Sequence, residues 1–260
     1  MEGFQVADII VDDGYNLQAF VGYAPSLRSA VVAFRGTQST SLDNWIQDLK
    51  FFHTDFQYPR QDGVDPRLDV RVHRGFYEAY HDSVMKGRVT AAVDRVLEEQ
   101  SGWIRGRPGL LVAGHSLGGA MAQVAAADLG LALVGRDVEV TVHTFGSPRV
   151  GNEDFGKMLL GLLDESVRVT HNHDVVPSLP PAFAGFHHAP RELYTVTRDD
   201  LPGLVVARWC DGSGEDPTCY GGACGFDGIG PCTSVSDHLS YMGIALADQG
   251  DCRARKEGTS

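Results

Sequence analysis

The sequence predicts an α/β fold built on a mainly parallel central sheet with helices on both faces. Three observations predict it. Apolar or β-branched runs (Ser29 to Phe34, Leu110 to Ala113, Val138 to Phe145, Val167 to Thr170) are interspersed with stretches of helical periodicity (Val84 to Glu99, Leu117 to Leu129, Glu153 to Leu163). Ser29 to Phe34 and Leu110 to Ala113 are near-continuously apolar, as expected of strands buried on both faces. They end in short turns such as Arg35-Gly36-Thr37, Gly114-His115-Ser116 and Gly146-Ser147-Pro148. Such turns lie at the carboxyl edge, where open α/β sheets place their ligands.

Length and composition set the outer bounds. A chain of 260 residues, 43% hydrophobic and 22% charged, can bury a sizeable core as one domain. Residues 1–252 read as that domain and 253–260 as a polar tail. The 34 acidic residues outnumber the 22 basic ones, for a formal net charge of −12. Such a balance argues against a nucleic-acid partner and against charge-driven adsorption to an anionic membrane, so any lipid contact has to be apolar. No stretch reaches the ~18 apolar residues of a transmembrane helix. Met1 to Ile10 carries Glu2 and Asp8 and no basic leader, so it is not read as a signal peptide. The five cysteines, Cys210, Cys219, Cys224, Cys232 and Cys252, all lie near the carboxyl end. Their spacing does not match the short paired hooks of a zinc ribbon. They read as a disulfide-bonded loop, with Cys210–Cys219 and Cys224–Cys232 the leading pairs and Cys252 left over. That usage favours an oxidising compartment, and with no leader visible the chain is expected to be a mature or trimmed form.

In chain order, Gln5 to Val11 and Leu17 to Gly22 flank Asp12-Asp13-Gly14-Tyr15-Asn16 as a hairpin. Ser29 to Phe34 is a buried strand. The stretch from Ser39 to Phe56 places Leu42, Trp45, Ile46 and Leu49 on one helical face. It reads either as a surface helix on the core or as a mobile lid over a site. Gln57 to Arg67 is a loop, Leu68 to Val72 a short strand, and Phe76 to Tyr80 and Val84 to Glu99 are helices. The elbow strand and helix, then Val138 to Phe145, Glu153 to Leu163 and Val167 to Thr170, complete the pattern.

The chemistry centres on Gly114-His115-Ser116-Leu117-Gly118. A strand, a sharp Gly-x-Ser-x-Gly turn and a small-residue helix form a nucleophile elbow, which places Ser116 at the sheet edge and at a helix N-terminus. A serine nucleophile needs a base, and the base an orienting acid. In the α/β-hydrolase order the acid and then the histidine follow the serine. Asp174, just after the strand Val167 to Thr170, fits the acid better than Asp164, Asp199 or Asp211. His238 fits the base by its late position, ahead of His171, His173, His187 and His188; His115 is read as structural. The histidines around Asp174 invite a zinc reading, but their spacing misses a binuclear site and would leave Ser116 unexplained, so neither metal nor cofactor is expected.

The residues also carry a resemblance. Ala33-Phe34-Arg35-Gly36-Thr37, Asn44-Trp45-Ile46-Gln47-Asp48-Leu49, Val72-His73-Arg74-Gly75-Phe76, Gly114 to Ala120, Phe145 to Gly151, Asp174-Val175-Val176-Pro177 and Asp237-His238-Leu239-Ser240-Tyr241 occur in the order found in class 3 lipases. The chain resembles that family, the filamentous-fungal lipase type with plant and algal relatives. The resemblance implies an α/β-hydrolase fold with a short helical lid. It also implies an acylglycerol ester hydrolase acting through an acyl-enzyme. Ser116, Asp174 and His238 would be the catalytic set and Thr37 and Leu117 the oxyanion donors. Leu42, Trp45 and Ile46 would be lid residues. The resemblance further implies an Arg35–Asp48 ion pair at the lid base and a Cys210–Cys219 disulfide. A monomer, secreted or in the secretory-pathway lumen and in transient contact with a lipid–water interface, is expected. Phospholipase A1, galactolipase or aryl esterase activity on the same residues is the alternative, and an inactive binding module the distant one. The segment before Trp45 is longer than in compact fungal members, and Cys224 to Cys232 is extra. Leu42 and Trp45 keep the lid apolar, where feruloyl esterase relatives are more polar.

Overall fold

The structure is a computed structural model that describes residues 3–37, 41–58, 64–100, 106–198, 200–201, 204–224 and 232–246. Cys252 and the tail 253–260 lie outside the described residues, as does the stretch 38–40 ahead of the expected lid.

Eight strands form the main sheet: β1 (Gln5–Asp12), β2 (Leu17–Ala24), β3 (Ser29–Phe34), β4 (Gly109–His115), β5 (Glu139–Phe145), β6 (Glu165–His171), β7 (Glu192–Thr197) and β8 (Val205–Trp209). They follow one another across the sheet in chain order. β1, β2 and β3 are an antiparallel meander, β3 to β7 run parallel, and β8 returns antiparallel on β7. The parallel centre is where the apolar runs fall. A second ribbon pairs His53–Asp55 with Arg71–His73.

Five helices follow: α1 (Leu42–Asp48), α2 (Arg74–His81), α3 (Met85–Gln100), α4 (Leu117–Ala132) and α5 (Glu153–Leu162). α4 packs on β4 and β5 and between α2 and α5. It is buried along nearly its whole length, and Ala120, Ala122, Ala125, Ala126 and Ala127 are small enough to let it lie close to the sheet. Leu110, Val112, Val140 and Val142 meet it from the sheet in one continuous core. Side chains alternate along a strand, so Val167 and Val169 point to the opposite face, where Tyr241 packs on them with Phe145 and Leu193. A short helix, α6 (Tyr220–Cys224), and another, α7 (Val235–His238), complete the carboxyl end.

The periodic stretches are the helices expected of them, within three residues at each end. β7 and β8 carry no readable strand pattern. Glu192 puts a charge inside β7, where Arg168 pairs with it at 3.0 Å. β8 is almost wholly exposed at the sheet edge, so burial never imposed a hydrophobic alternation on it. No described helix is long and apolar enough to cross a membrane.

Candidate active site

β4 ends at His115 and α4 begins at Leu117, leaving Ser116 alone to make the turn. Its backbone sits at φ 58°, ψ −129°. Such a conformation costs a non-glycine residue about 1–3 kcal/mol and persists only where its surroundings enforce it. The enforcement is visible: Ser116 N–H donates to the Phe145 carbonyl at 3.0 Å, and its own carbonyl accepts from Gly119 and Ala120. Glycine at 114 is required because a Cβ there would collide with the Gly118 carbonyl. Ser116 is only 1% exposed, and its Oγ is buried without a hydrogen-bond partner.

Asp174 and His238 arrive on loops that are tied to each other. Val175 N–H donates to the Ser234 carbonyl and Ser234 N–H to the His173 carbonyl. Ser234 then caps α7, which ends at His238. The result is a fully buried pair in which His238 Nδ1 faces both Asp174 oxygens at 2.9 Å. Neutral imidazole has one donor and one acceptor, so an Nδ1–H directed at the carboxylate leaves Nε2 as the acceptor. That Nε2 is buried and, among the described residues, without a partner, as is the Ser116 Oγ.

The carboxylate is held by more than the histidine. Val176 N–H donates to Oδ1 at 2.8 Å and the Tyr241 hydroxyl to Oδ2 at 2.5 Å. Burial, with the Asp174 charge beside it, pushes the Tyr241 hydroxyl well above its ordinary value, so it stays a donor. Gly146, at φ 53°, closes the end of β5 over the pair. A Cβ there would lie 2.8 Å from Asp174 Oδ2 and 3.0 Å from His238 Nδ1, so only glycine fits both the conformation and the space.

Sequence reading set His115 aside as structural and gave Tyr241 no role. The structure lays the His115 ring 4.4 Å from the His238 ring, and His115 Nε2 is 2.8 Å from the His238 carbonyl. Burial pushes His115 down to about 3, so the ring is neutral and Nε2–H is the donor. Both residues lay inside motifs read from the sequence, but only the tertiary contact reveals what they touch.

Thr37 follows β3, and its hydroxyl is buried without a partner among the described residues. Gly36 packs on the elbow, its Cα direction meeting the His115 carbonyl and Ser116 Cβ. Leu117 is the first residue of α4, so its N–H has no acceptor within the helix. A cavity of about 470 Å³ opens beside Leu117, lined by Leu17, Trp45, Leu49, Phe76 and Ala79. α1 lies over it. Leu42 is buried, Trp45, Ile46 and Leu49 are half-buried, and Asp43, Asn44, Gln47 and Asp48 face outward. That is the one-sided helix the spacing predicts.

One implied contact is corrected. Arg35 does not pair with Asp48. Its guanidinium donates to Gln18 Oε1 at 3.0 Å and to Asn16 Oδ1 at 2.9 Å, while Asp48 is exposed. Arg35 N–H bonds the Gln18 carbonyl, and its side chain reaches Gln18 and Asn16 at the β1–β2 turn instead. The other histidines go to separate places. His171 meets Thr195, and His188 is buried against the Pro177 carbonyl. Cys210–Cys219 and Cys224–Cys232 are each joined as a disulfide.

A mainly parallel sheet with a strained serine between strand and helix defines an α/β-hydrolase. The chain belongs to the class 3 lipase family: the family described as Lipase (class 3) matches residues 31–184. It is 35% identical over 231 residues to a lipase of Rhizomucor miehei, covering 88% of this chain and 56% of that protein. It is 31% identical over 246 residues to secreted mono- and diacylglycerol lipase 1 of Fusarium solani, covering 93% of this chain and 66% of that one. The chain thus spans between half and two thirds of these relatives' length. Among solved structures, Rhizomucor miehei triacylglyceride lipase superposes with a TM-score of 0.74 at 29% identity, over 95% of this chain and 83% of that one.

Proposed function

We propose that the protein is a serine carboxylic ester hydrolase acting on acylglycerols through an acyl-enzyme. The observation that carries this reading is a strained elbow serine whose neighbour His115 contacts His238, itself paired with buried Asp174; among the described residues neither the Ser116 Oγ nor the His238 Nε2 has a hydrogen-bond partner. His238 takes the proton from the Ser116 hydroxyl as Oγ attacks the ester carbonyl. The N–H groups of Thr37 and Leu117 receive the oxyanion, and the Thr37 hydroxyl is available to add a third bond. One such donor is typically worth about 3 kcal/mol in the transition state. Asp174 holds the tautomer of His238 and stabilises the imidazolium. The protonated His238 then gives its proton to the departing alcohol, and water repeats the sequence on the acyl-enzyme.

α1 serves as the lid. Ser116 is covered, and the cavity beside Leu117 suits an apolar chain. At a lipid surface the Leu42, Trp45 and Ile46 face would turn outward. The whole chain acts as one domain and a monomer. Two disulfides fit an oxidising compartment, and a relative is named as a secreted lipase, so the protein is taken to be secreted. The name of the Fusarium solani relative and that of the Rhizomucor miehei triacylglyceride lipase structure favour acylglycerols over other esters.

The test is Ser116→Ala beside the wild type. The wild type labels with a fluorophosphonate probe and hydrolyses triolein faster than phosphatidylcholine, monogalactosyl diacylglycerol or methyl ferulate. The variant melts normally, does not label and releases no fatty acid. Turnover by Ser116→Ala at the wild-type rate would refute the nucleophile. Preference for the phospholipid or galactolipid would move the substrate assignment to the alternative class.

A further inference from the structure

Arg149 is the bulkiest of the fully buried side chains, and the mechanism above gives it no task. A buried guanidinium is costly unless its charge is matched and its donors are met. Its partners therefore indicate its use, and they lie on two loops. Nε and Nη2 donate to the two oxygens of Glu215 at 2.7 and 2.9 Å. Nη1 donates to the carbonyls of Ser178 at 2.9 Å and Pro180 at 3.0 Å. The main-chain N–H of Arg149 donates to the Leu179 carbonyl at 2.7 Å. One residue thus holds three successive carbonyls of the loop that follows Asp174. A single 3₁₀ turn, Val176–Ser178, separates them from Asp174, and the Asp174 carboxylate itself accepts from Val176 N–H at 2.8 Å. A displacement at Ser178 has little slack to absorb it before it reaches that carboxylate.

Glu215 in turn belongs to the loop closed by Cys210–Cys219. That loop is seated at further points. The Gly214 carbonyl accepts from Nη2 of buried Arg168 at 2.8 Å, and Glu215 Oε1 also accepts from His188 N–H at 3.0 Å. Directly after it, the Tyr220 hydroxyl donates to the Asp174 carbonyl. Burial would raise the Glu215 carboxyl, but the Arg149 guanidinium brings it below its ordinary value, so the pair is charged.

We propose that Arg149 and Glu215 are positioning residues for Asp174, and that the Cys210–Cys219 loop is the latch that keeps Glu215 on Arg149. The proposal rests on the reading of Asp174 as the orienting acid. It makes catalysis sensitive to reduction. Dithiothreitol would convert the disulfide to two cysteine thiols while being oxidised to its own cyclic disulfide. Glu215 and Tyr220 would then lose the closure that holds their loop.

The experiment compares Glu215→Gln, Arg149→Met and Asp174→Asn on soluble p-nitrophenyl butyrate. It records kcat and KM separately, the pH profile of kcat/KM, and near-ultraviolet circular dichroism. Glu215→Gln is expected to lower kcat roughly 10- to 100-fold with KM little changed, the scale of a small misplacement of a catalytic group. The acid limb of kcat/KM should move to lower pH, because an imidazolium with a displaced carboxylate is less supported. The aromatic spectrum should be unchanged. Dithiothreitol added to a Cys224→Ser/Cys232→Ser protein should give the same kcat loss and the same limb shift, reversed on reoxidation. That arm remains informative if Arg149→Met does not fold. Wild-type kcat and pH profile in Glu215→Gln, or in the reduced protein, would overturn the proposal. So would a kcat that falls only with the folded fraction. Wild-type kcat in Asp174→Asn would instead overturn the reading of the acid itself, a separate result.

Discussion

Tyr241 shows at the scale of one residue how the site is held. Its hydroxyl is one of the donors that satisfy a fully buried Asp174 carboxylate. Tyr241→Phe keeps the ring on Val167 and Val169 and removes only that donor. It should cost about 1–3 kcal/mol of stability, the penalty of an under-satisfied buried group, and lower kcat more than it raises KM. Urea midpoints and steady-state kinetics check both, and unchanged values in both would contradict it. Two histidines give a pH dependence with a definite sign. Burial pushes His73 down to about 4 and His115 down to about 3. In the unfolded chain both take a proton near 6.5, so below that pH the unfolded state binds more protons than the native one. Stability is therefore full above about pH 6.5 and falls as the pH drops toward the folded values, by at most about 1.4 kcal/mol per pH unit for each ring. His73→Asn should flatten the fall of the urea midpoint between pH 6.5 and 4.5; an equally steep fall would show that other groups set it.

α1 is the element on which the proposed gating rests. It has only 7 residues, and the side chain of its N-cap residue Ser41 makes no capping hydrogen bond. A helix that short is not stable alone, so its packing holds it in place. Leu42 and Trp45 supply much of that packing, at about 2 kcal/mol for each well-buried apolar side chain. Its carboxyl side is fastened separately: His73 Nε2–H donates to the Lys50 carbonyl at 2.5 Å, and Arg74 N–H to the Phe52 carbonyl at 2.8 Å. An element held by a few contacts and anchored at one end can exchange between two positions. Trp45→Ala removes one closed-state contact. The variant should hydrolyse dissolved tributyrin faster than the wild type and show a smaller rate jump as tributyrin passes its solubility limit. A jump of wild-type size would argue that α1 does not gate the site.

Net charge acts on the whole molecule. At −12 the protein is repelled by an anionic surface, so the proposed contact with lipid would have to be apolar. Raising the salt from about 0.02 to 0.2 M shortens the screening length from roughly 20 to 7 Å. Salt should therefore strengthen adsorption to vesicles containing phosphatidylglycerol and leave adsorption to phosphatidylcholine vesicles unchanged, as measured by co-sedimentation. Weaker binding to anionic vesicles in salt would point instead to a local basic patch.

The elements that the sequence marked clearly are those whose burial dictates composition. β3 and the start of β4 are apolar and β5 and β6 alternate apolar residues at their buried positions, and the elbow needs glycine because strand and helix nearly touch. Local pattern also brought out Leu42, Trp45 and Ile46, since one face of a surface helix has to be apolar. β7 and β8 were not legible, because one buries an ion pair and the other is an exposed edge. Nor were contacts between distant segments, such as His115 on His238, Tyr241 and Tyr220 on Asp174, or Arg149 on Glu215. The implied Arg35–Asp48 pair failed for the same reason, since the reach of a long side chain depends on where the chain returns in space. The sequence by itself determined the sheet, the elbow and the order of the serine, acid and histidine candidates, because these rest on local packing and backbone demands. Only the tertiary structure decided what surrounds the acid and the base, because each such partner is brought in by a loop whose path no local pattern encodes.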